Sequence, residues 1–275
     1  MPEQLSLLLP VWAGDRPDFL TDAFRSSVDA QTRRPEQVVI VRDGPVPDQL
    51  AETIRELAKD SPVPVDLVEL EQNAGLGPAL DAGLAACSHD VVARMDADDI
   101  SLPHRFAVQV PIIESGADIV GSGLVEFADD PDEVVATRTV PTDPDEIRRR
   151  ARFATPFNHP TVVYRRSLVT GVGGYTDFAK MEDYLLWAKL ILADARVANV
   201  AEPLVRYRVG AGAYARRGGR DLLRAEIALQ RRFRALGFTT RTQYARNLVV
   251  RGGYRLVPEG LRRSAYRKVI APYRR

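Results

Sequence analysis

The sequence predicts an α/β fold in which a mostly parallel sheet is flanked by helices and followed by a basic helical C-terminal extension. Two observations predict the sheet. Short β-branched runs alternate four times with segments of helical periodicity in the first half of the chain, and Gly, Pro or Asp turn residues separate them. This alternation is typical of parallel sheets covered by helices. The extension is predicted because residues 206–275 carry 19 basic and only 3 acidic side chains, with apolar residues interleaved.

The first half contains four predicted strands with a helix after each. Each strand is an apolar run too short for a helix; the runs are residues 5–11, 37–41, 65–70 and 90–95. The helices are indicated by apolar residues at helical spacing. These residues are Phe19, Ala23, Ser26 and Ala30, then Leu50, Ile54 and Leu57, then Leu80, Leu84 and Cys87, then Phe106, Val110 and Ile113. The pattern therefore indicates four consecutive βα units.

The second half is less regular. Residues 123–145 are acidic with strand-like fragments, and further strands are predicted at 119–120, 162–164, 197–200 and 204–207. Helices are predicted at 181–193, 219–236 and 241–270, with a glycine-rich turn at 171–175 and a flexible linker at 210–219. We therefore predict a main domain over residues 1–210 and a basic helical segment over residues 211–275.

Charge, cysteine content and apolar runs indicate the cellular compartment to expect for this chain. Of 275 residues, 38 are Lys or Arg and 37 are Asp or Glu, but residues 1–145 carry a net charge of −18 and residues 146–275 carry +19. The single cysteine, Cys87, excludes an intramolecular disulfide framework and fits a reducing compartment. The sequence has no apolar run of about 18 residues and no basic n-region at its start. We therefore expect a cytoplasmic protein.

Chemically useful side chains follow three of the predicted strands. Asp43 ends the second strand, Asn73 and Gly75 follow the third, and Asp96-Ala97-Asp98-Asp99 follows the fourth. In open α/β sheets, ligands bind beyond the carboxyl ends of the strands, so one crevice gathers all three groups. Three acids in four residues repel one another unless a cation neutralises them, and hard divalent cations take carboxylate oxygens together with substrate phosphates. The pattern therefore favours a site for a metal ion and a diphosphate.

Simpler interpretations exist for each of these groups. Asp43, Asn73 and Gly75 are also common turn residues, and the acidic cluster could be a solvated turn or a helix cap. The sequence lacks both the Gly-x-x-x-x-Gly-Lys-Ser/Thr phosphate loop and a Gly-x-Gly-x-x-Gly after the first strand, which argues against two common nucleotide-binding classes. The coincidence of three strand-end groups favours the functional interpretation.

The order of motifs over residues 4–210 resembles glycosyltransferase family 2, whose members are inverting enzymes of the GT-A fold. The motifs are Leu7-Leu-Leu-Pro10-Val11, Val39-Ile-Val-Arg-Asp43-Gly44, Asn73-Ala-Gly75-Leu-Gly77, Met95-Asp-Ala-Asp-Asp99, Asn158-His-Pro-Thr161, Gly174-Tyr175 and Met181-Glu-Asp-Tyr-Leu-Leu-Trp187. The resemblance implies a Rossmann-like domain in which residues 1–122 bind a nucleotide-sugar and residues 123–210 form the acceptor and catalytic part. UDP-sugars are the expected donors. Trp12 stands where the family often has Tyr, and Arg42 stands where an acid is common.

The resemblance also implies roles for individual residues. Pro10 and Val11 would line the base pocket, Asp43 would bind the base, and Asn73 and Gly75 would belong to the donor site. Asp96 would approach the ribose, and Asp98 would bind Mn or Mg on the diphosphate.

On the acceptor side, the resemblance places the catalytic base at Asp183, with Glu182 orienting it or binding the acceptor. His159 is expected on the acceptor side or near the diphosphate. Trp187 is four residues after Asp183 and could form a wall against a sugar ring, although an aromatic residue at this spacing is more often part of the core. A glycan or lipid-linked saccharide is the expected acceptor.

The basic C-terminal segment has three interpretations. We favour binding of residues 241–275 to an anionic membrane, which would make the enzyme peripheral on the inner face of the plasma membrane. Packing against the acidic half, or a homodimer contact, is the second interpretation. Nucleic-acid binding is disfavoured because no recognised motif accompanies the charge.

Two other functional classes are less consistent with the sequence. An Asp-dependent phosphatase needs a well-placed Lys, but the chain has only Lys59, Lys180, Lys189 and Lys268. A non-catalytic scaffold would not need to retain Asp96, Asp98 and Asp183 together.

Overall fold

The first half of the chain forms the four predicted βα units. The computed structural model describes residues 3–178, 180–209 and 220–256. The elements of this half are β1 (Leu5–Trp12), α1 (Pro17–Ser27), β2 (Gln37–Asp43), α2 (Asp48–Asp60), β3 (Val65–Glu69), α3 (Leu76–Ala86), β4 (Val91–Arg94), β5 (Ile100–Ser101) and α4 (Arg105–Glu114). Leu50, Ile54 and Leu57 are the buried residues of α2, as their spacing predicted.

The second half completes the sheet and adds helices. Its elements are β6 (Ile119–Phe127), β7 (Val134–Arg138), α5 (Pro144–Ala151), a 3₁₀ turn (His159–Thr161), β8 (Val163–Arg165), α6 (Arg166–Gly171), α7 (Glu182–Leu192), β9 (Val197–Arg208), α8 (Arg220–Ala235), α9 (Arg241–Asn247), a π-helical turn (Leu248–Gly252) and α10 (Gly253–Leu256). The predicted linker at 210–219 lies outside the described residues.

One sheet contains all nine described strands, in the order β3-β2-β1-β4-β8-β6-β9-β5, with β7 also paired to β6. Strands β1 to β4 are mutually parallel, whereas β8 is antiparallel to both of its neighbours, β4 and β6. The carboxyl ends of β1, β2 and β4 therefore lie side by side. The predicted division near residue 122 falls inside β6, so the two predicted parts share one sheet.

Two apolar clusters cover the two faces of the sheet. Alternation along β1 sends Leu7 and Leu9 to the face packed by α1, α2 and α4, and Leu8 to the face packed by α3 and α7. Because β1 and β2 are buried on both faces, they are continuously apolar rather than alternating.

The structure differs from the predicted pattern in β9. The two strands predicted at 197–200 and 204–207 are one strand, Val197–Arg208, paired in parallel with β6. Shifts in register on either side of Gly123 leave Ala201, Glu202 and Leu204 without a partner in β6. This interruption, which includes Pro203, made the sequence look like two strands.

The described part of the basic segment packs onto the main domain. Phe233 of α8 contacts Tyr184 of α7 at a ring-centroid distance of 4.9 Å, and Leu229, Phe233 and Phe238 belong to the same core as α7. Fully buried Glu226 pairs with Arg251 at 2.6 Å and Arg255 at 3.0 Å. The helices therefore pack against α7 and the chain after α5, in the basic half rather than the acidic half.

None of the helices in the described ranges is long and apolar enough to cross a membrane.

Candidate active site

A cavity of 540 Å³ lies beyond the carboxyl ends of β1, β2 and β4. All of the predicted donor-site and metal-site residues line it; they are Pro10, Val11, Asp43, Asn73, Gly75, Asp96 and Asp98. These residues are separated by as many as 88 positions in the sequence, from Pro10 to Asp98, and the parallel sheet brings them together. The crevice predicted from the strand ends is therefore present.

Asp43 organises one wall of this cavity. Its Oδ1 accepts the N–H of Ala74 at 2.7 Å, while its Oδ2 accepts the N–H of Gly75 at 3.0 Å and the Nδ2 of Asn73 at 2.9 Å. Gly44 has φ +82°, and a Cβ there would lie 2.4 Å from the backbone nitrogen of Asn73. This close approach allows the turn after β2 to lie against the loop before α3.

The acidic cluster has the geometry of a candidate cation site. Single carboxylate oxygens of Asp96, Asp98 and Asp99 all lie within 4.8 Å of one another. Burial, followed by the negative charge of Asp96, raises the pKa of Asp98 to about 6. Asp99 is fully buried, and burial together with the charges of Asp96 and Asp98 raises its pKa well above its usual range. Arg94 and Arg208 offset the repulsion among these acids only in part, since the pKa values of Asp98 and Asp99 remain raised. A hard divalent cation would supply further positive charge.

Three arginines hold the backbone around this cluster. Arg94 is ion-paired with Asp96, and the carbonyl oxygen of Arg94 accepts Nη2 of buried Arg105 at 2.7 Å. Arg208, at the end of β9, donates Nε to the carbonyl oxygen of Asp98 at 3.0 Å, and its backbone N–H donates to Oδ1 of Asp99 at 2.9 Å. These contacts fix the loop that presents the carboxylates to the cavity.

Asp15 and Tyr207, to which the sequence assigned no role, also line the cavity, as does Trp12. Asp15 accepts the N–H of Trp12 at 2.9 Å, and burial, with the nearby charges of Asp98 and Asp96, raises its pKa to about 7. Trp12 is 54% exposed, and Tyr207 lines the opposite, β9 side. The sequence could have indicated Asp15 as a site residue, because it directly follows Gly14 in the loop between the first strand and the first helix.

A second cavity, of 490 Å³, shares Asn73, Gly75 and Leu76 with the first and extends to Glu182 and Lys180. Glu182 and Asp183 begin α7. Burial and the adjacent Asp183 raise the pKa of Glu182 to about 7, and burial also raises the pKa of Asp183. Glu182 lines this cavity, whereas the carboxylate of Asp183 accepts the N–H of Tyr184 at 2.7 Å. A raised pKa makes a carboxylate a stronger proton acceptor than an ordinary Asp or Glu, which suits proton abstraction.

His159 has a local partner. Its Nε2 lies 3.1 Å from the hydroxyl of Tyr175, and its ring packs against Trp187 with the centroids 5.8 Å apart. Burial, followed by the positive charge of Arg94, lowers the pKa of His159, so the ring is neutral. His159 lines neither cavity, and the contacts described for its ring are with Tyr175 and Trp187.

The structure corrects the predicted role of Trp187. Its side chain is 0% exposed and makes an edge contact with Phe157 at a centroid distance of 5.5 Å. The ring therefore presents no face to a sugar. Trp187 lies on the core side of α7, because the second turn of this helix is buried between the sheet and α8.

Comparisons with known proteins agree with this arrangement. The sequence model of the family described as Glycosyl transferase family 2 matches residues 6–172. A Haemophilus influenzae protein described as an uncharacterized glycosyltransferase is 39% identical over 269 residues, covering 97% of this chain and 99% of that protein. An Escherichia coli protein named UDP-Gal:alpha-D-GlcNAc-diphosphoundecaprenol beta-1,3-galactosyltransferase is 32% identical over 269 residues, covering 97% and 96%.

A solved structure shows the same fold. The crystal structure of S. aureus TarS 1-349 in complex with UDP-GlcNAc matches with a TM-score of 0.65 and 16% sequence identity, covering 97% of this chain and 73% of that one. The predicted GT-A architecture is confirmed.

Proposed function

Because the chain belongs to glycosyltransferase family 2, we propose that it transfers a sugar from a UDP-sugar to a hydroxyl group of a glycan or lipid-linked saccharide, with inversion at the anomeric carbon. The main support for this proposal is that one cavity, at the ends of parallel strands, is lined by Asp43, Asn73, Asp96 and Asp98. The same cavity has carboxylates for a metal ion and shares Asn73, Gly75 and Leu76 with the second cavity, which Glu182 lines.

The donor occupies the first cavity in this proposal. Pro10 and Val11 form the wall beside the base, and the loop held by Asp43 closes the site next to it. Asp96, kept in place by Arg94, faces the ribose. The exposed ring of Trp12 offers a flat apolar surface at the mouth of the cavity.

A divalent cation, Mn or Mg, fits the carboxylates of the acidic cluster. Asp98 is the residue proposed to hold it, since Asp98 lines the cavity and one of its carboxylate oxygens lies within 4.8 Å of carboxylate oxygens of Asp96 and Asp99. When bound, the cation neutralises charge on the diphosphate leaving group. Asp99 supports the loop through its bond to Arg208.

Asp183 is the proposed catalytic base. It would take the proton from the acceptor hydroxyl while the oxygen attacks the anomeric carbon from the face opposite the diphosphate, so that the C–O bond to the acceptor forms as the bond to the diphosphate breaks. Glu182, which lines the second cavity, would contact the acceptor. His159 orients Tyr175 on this side of the site.

The acceptor class is inferred from the relative in Escherichia coli. The name of that protein specifies a UDP-sugar donor, a GlcNAc-diphospholipid acceptor and a β linkage. A β linkage from an α-configured nucleotide-sugar is what a single inverting displacement produces. We therefore propose a lipid-diphosphate-linked saccharide as the acceptor for this chain.

A thermal-shift screen against nucleotide-sugars tests the proposal. UDP, UDP-galactose, UDP-GlcNAc, GDP-mannose and dTDP-glucose are compared with and without Mn. We expect the UDP compounds to raise the Tm, and to raise it more with Mn than with EDTA. Stabilisation by GDP-mannose alone would refute the UDP assignment, and equal shifts with Mn and EDTA would refute the metal-assisted mode.

Peripheral membrane association through residues 241–275 is proposed as a separate property. Exposed Arg241 and Arg246 on α9, and Val249, which is 75% exposed, support it within the described residues. Co-sedimentation with anionic vesicles should be salt-sensitive. Equal binding after Arg241 and Arg246 are both changed to Gln would contradict a contribution from α9.

A further inference from the structure

A single basic side chain lines the two cavities of the site over the part of the chain that the structure describes. This residue is Lys180, and it lines the second cavity together with the acids Asp177 and Glu182. The acids that line the first cavity are Asp15, Asp43, Asp96 and Asp98. A cation held by Asp98 would offset the charge of the donor diphosphate. In the second cavity, the positive charge available to a bound molecule is that of Lys180.

Lys180 lies in a turn that closes immediately before α7. The N–H of Met181 donates to the carbonyl oxygen of Phe178 at 3.1 Å, and Lys180 has a φ of +72°. This left-handed region favours glycine, because a Cβ at such a position crowds the backbone. Lysine therefore costs conformational energy here that glycine would avoid.

The fold makes no use of the ammonium group of Lys180. Its side chain is exposed, and its Nζ makes no hydrogen bond or ion pair with another described residue. Asp177 and Glu182 line the same cavity, but neither is paired with it. The charge of Lys180 is therefore free to bind a ligand.

Close packing against α3 holds the segment that carries this turn. The N–H of Tyr175 donates to Oδ1 of Asp81 on α3 at 3.1 Å. Gly77, in the first turn of α3, approaches so closely that a Cβ there would lie 2.6 Å from the carbonyl oxygen of Thr176 and 3.4 Å from Cβ of Glu182. The segment is therefore held against α3 on both sides of Lys180, and the first turn of α3 lines both cavities.

We propose that Lys180 is a specificity-determining residue that binds the diphosphate of a lipid-diphosphate-linked acceptor in the second cavity. An ammonium group is a compact cation that forms charge-assisted hydrogen bonds to phosphate oxygens. Lys180 and Glu182 line the same cavity, so one acceptor can contact both. This inference rests on the proposed function, from which it takes the acceptor class. It adds the residue that distinguishes a diphosphate-linked sugar from the same sugar without a diphosphate.

Isothermal titration with two acceptors tests the proposal, with UDP and Mn present so that no transfer occurs. One acceptor is a synthetic GlcNAc-diphospholipid, and the other is an alkyl glycoside of GlcNAc with the same chain and no phosphate. We expect Lys180→Gln to weaken binding of the diphospholipid by about tenfold or more and to leave the Kd of the alkyl glycoside unchanged. Lys180→Arg keeps the charge and should retain most of the wild-type affinity.

Lys180→Gly separates the charge from the backbone conformation. It removes the ammonium group and relieves the left-handed φ, so it should fold and should bind the diphospholipid as weakly as Lys180→Gln. Wild-type affinity for the diphospholipid in Lys180→Gly would overturn the proposal.

Lys59→Gln is the matched control. Lys59 is an exposed lysine in the last turn of α2 and lines neither cavity. This variant should bind both acceptors as the wild type does, and a loss equal to that of Lys180→Gln would reduce the effect to net charge and overturn the proposal.

The remaining outcomes separate this inference from the proposed function. Equal weakening of both acceptors in Lys180→Gln would mean that Lys180 shapes the cavity without recognising the diphosphate. A weakened Kd for UDP alone in this variant would assign the lysine to the donor. Unchanged binding of both acceptors in Lys180→Gln would refute the role of Lys180 and leave the proposed function standing. If the wild type binds neither acceptor, the proposed acceptor class fails and this inference fails with it.

Discussion

Asn73 donates its Nδ2 to Oδ2 of Asp43 at 2.9 Å, a contact that joins the ends of β2 and β3 across 30 residues. Since Ala74 and Gly75 also donate to Asp43, this carboxylate both faces the donor cavity and shapes its wall. Asp43 is therefore both a turn residue and a lining residue of the donor cavity, so the two interpretations of this position in the sequence are compatible.

Asn73→Ala should weaken UDP binding. The change removes one hydrogen bond to a buried carboxylate and loosens the loop, at a cost of about 1–1.5 kcal/mol, or roughly tenfold in Kd. Isothermal titration with UDP measures it. Gln72→Ala, at an exposed neighbouring position, is the control and should bind UDP as the wild type does. Unchanged affinity in Asn73→Ala would show that the loop does not depend on this contact.

Asp98→Ala should abolish the effect of metal on donor binding. Wild-type affinity for UDP is expected to rise on adding Mn, because a cation held by Asp98 would offset the negative charge of the diphosphate, whereas the variant should bind equally in Mn and EDTA. Asp129→Ala, which removes an exposed acid from the turn after β6, should respond to Mn as the wild type does. A full Mn response in Asp98→Ala would assign the cation to other residues.

Asp15→Asn should stabilise the ligand-free protein at neutral pH. The folded-state pKa of Asp15 is about 7 against an ordinary 3.8, so the wild type binds this proton more tightly when folded and loses stability as pH rises from about 4 to 7. The asparagine cannot ionise and avoids that loss, for a gain of about 1–3 kcal/mol at pH 7.5.

Urea denaturation at pH 4.5 and 7.5 measures the difference between the two proteins. Asp18→Asn is the control, because Arg16 lowers the pKa of the exposed Asp18 carboxyl. This variant should show no gain in stability at pH 7.5. A constant difference between Asp15→Asn and wild type at both pH values would contradict the raised pKa.

Glu226→Gln should destabilise the protein by about 3 kcal/mol, because it leaves Arg251 and Arg255 without their buried carboxylate. Asp221→Asn, in an exposed pair with Arg224 on the same helix, should change stability by less than about 0.5 kcal/mol. Similar losses in both variants, measured by urea denaturation, would mean that Glu226 does not fix the C-terminal helices.

The sequence predicted the strands and strand-end carboxylates well, because buried parallel strands leave long β-branched runs and their ends carry Asp43 and Asp96. It could not predict Arg94 or the burial of Trp187, since both depend on what packs from distant elements. The basic segment illustrates the same limit. Its charge indicated an external partner, whereas over residues 220–256 much of the structure is held by Glu226 and by backbone carbonyls.

In the proposed mechanism, Asp183 is the base of an inverting sugar transfer. Its most direct test is the single-turnover transfer rate of Asp183→Asn, compared with Glu182→Gln, from UDP-galactose to a GlcNAc-diphospholipid. We predict that Asp183→Asn binds the donor normally but loses about 10²–10⁴-fold in rate, while Glu182→Gln loses far less. Wild-type turnover by Asp183→Asn, with the loss found instead in Glu182→Gln, would contradict the assignment.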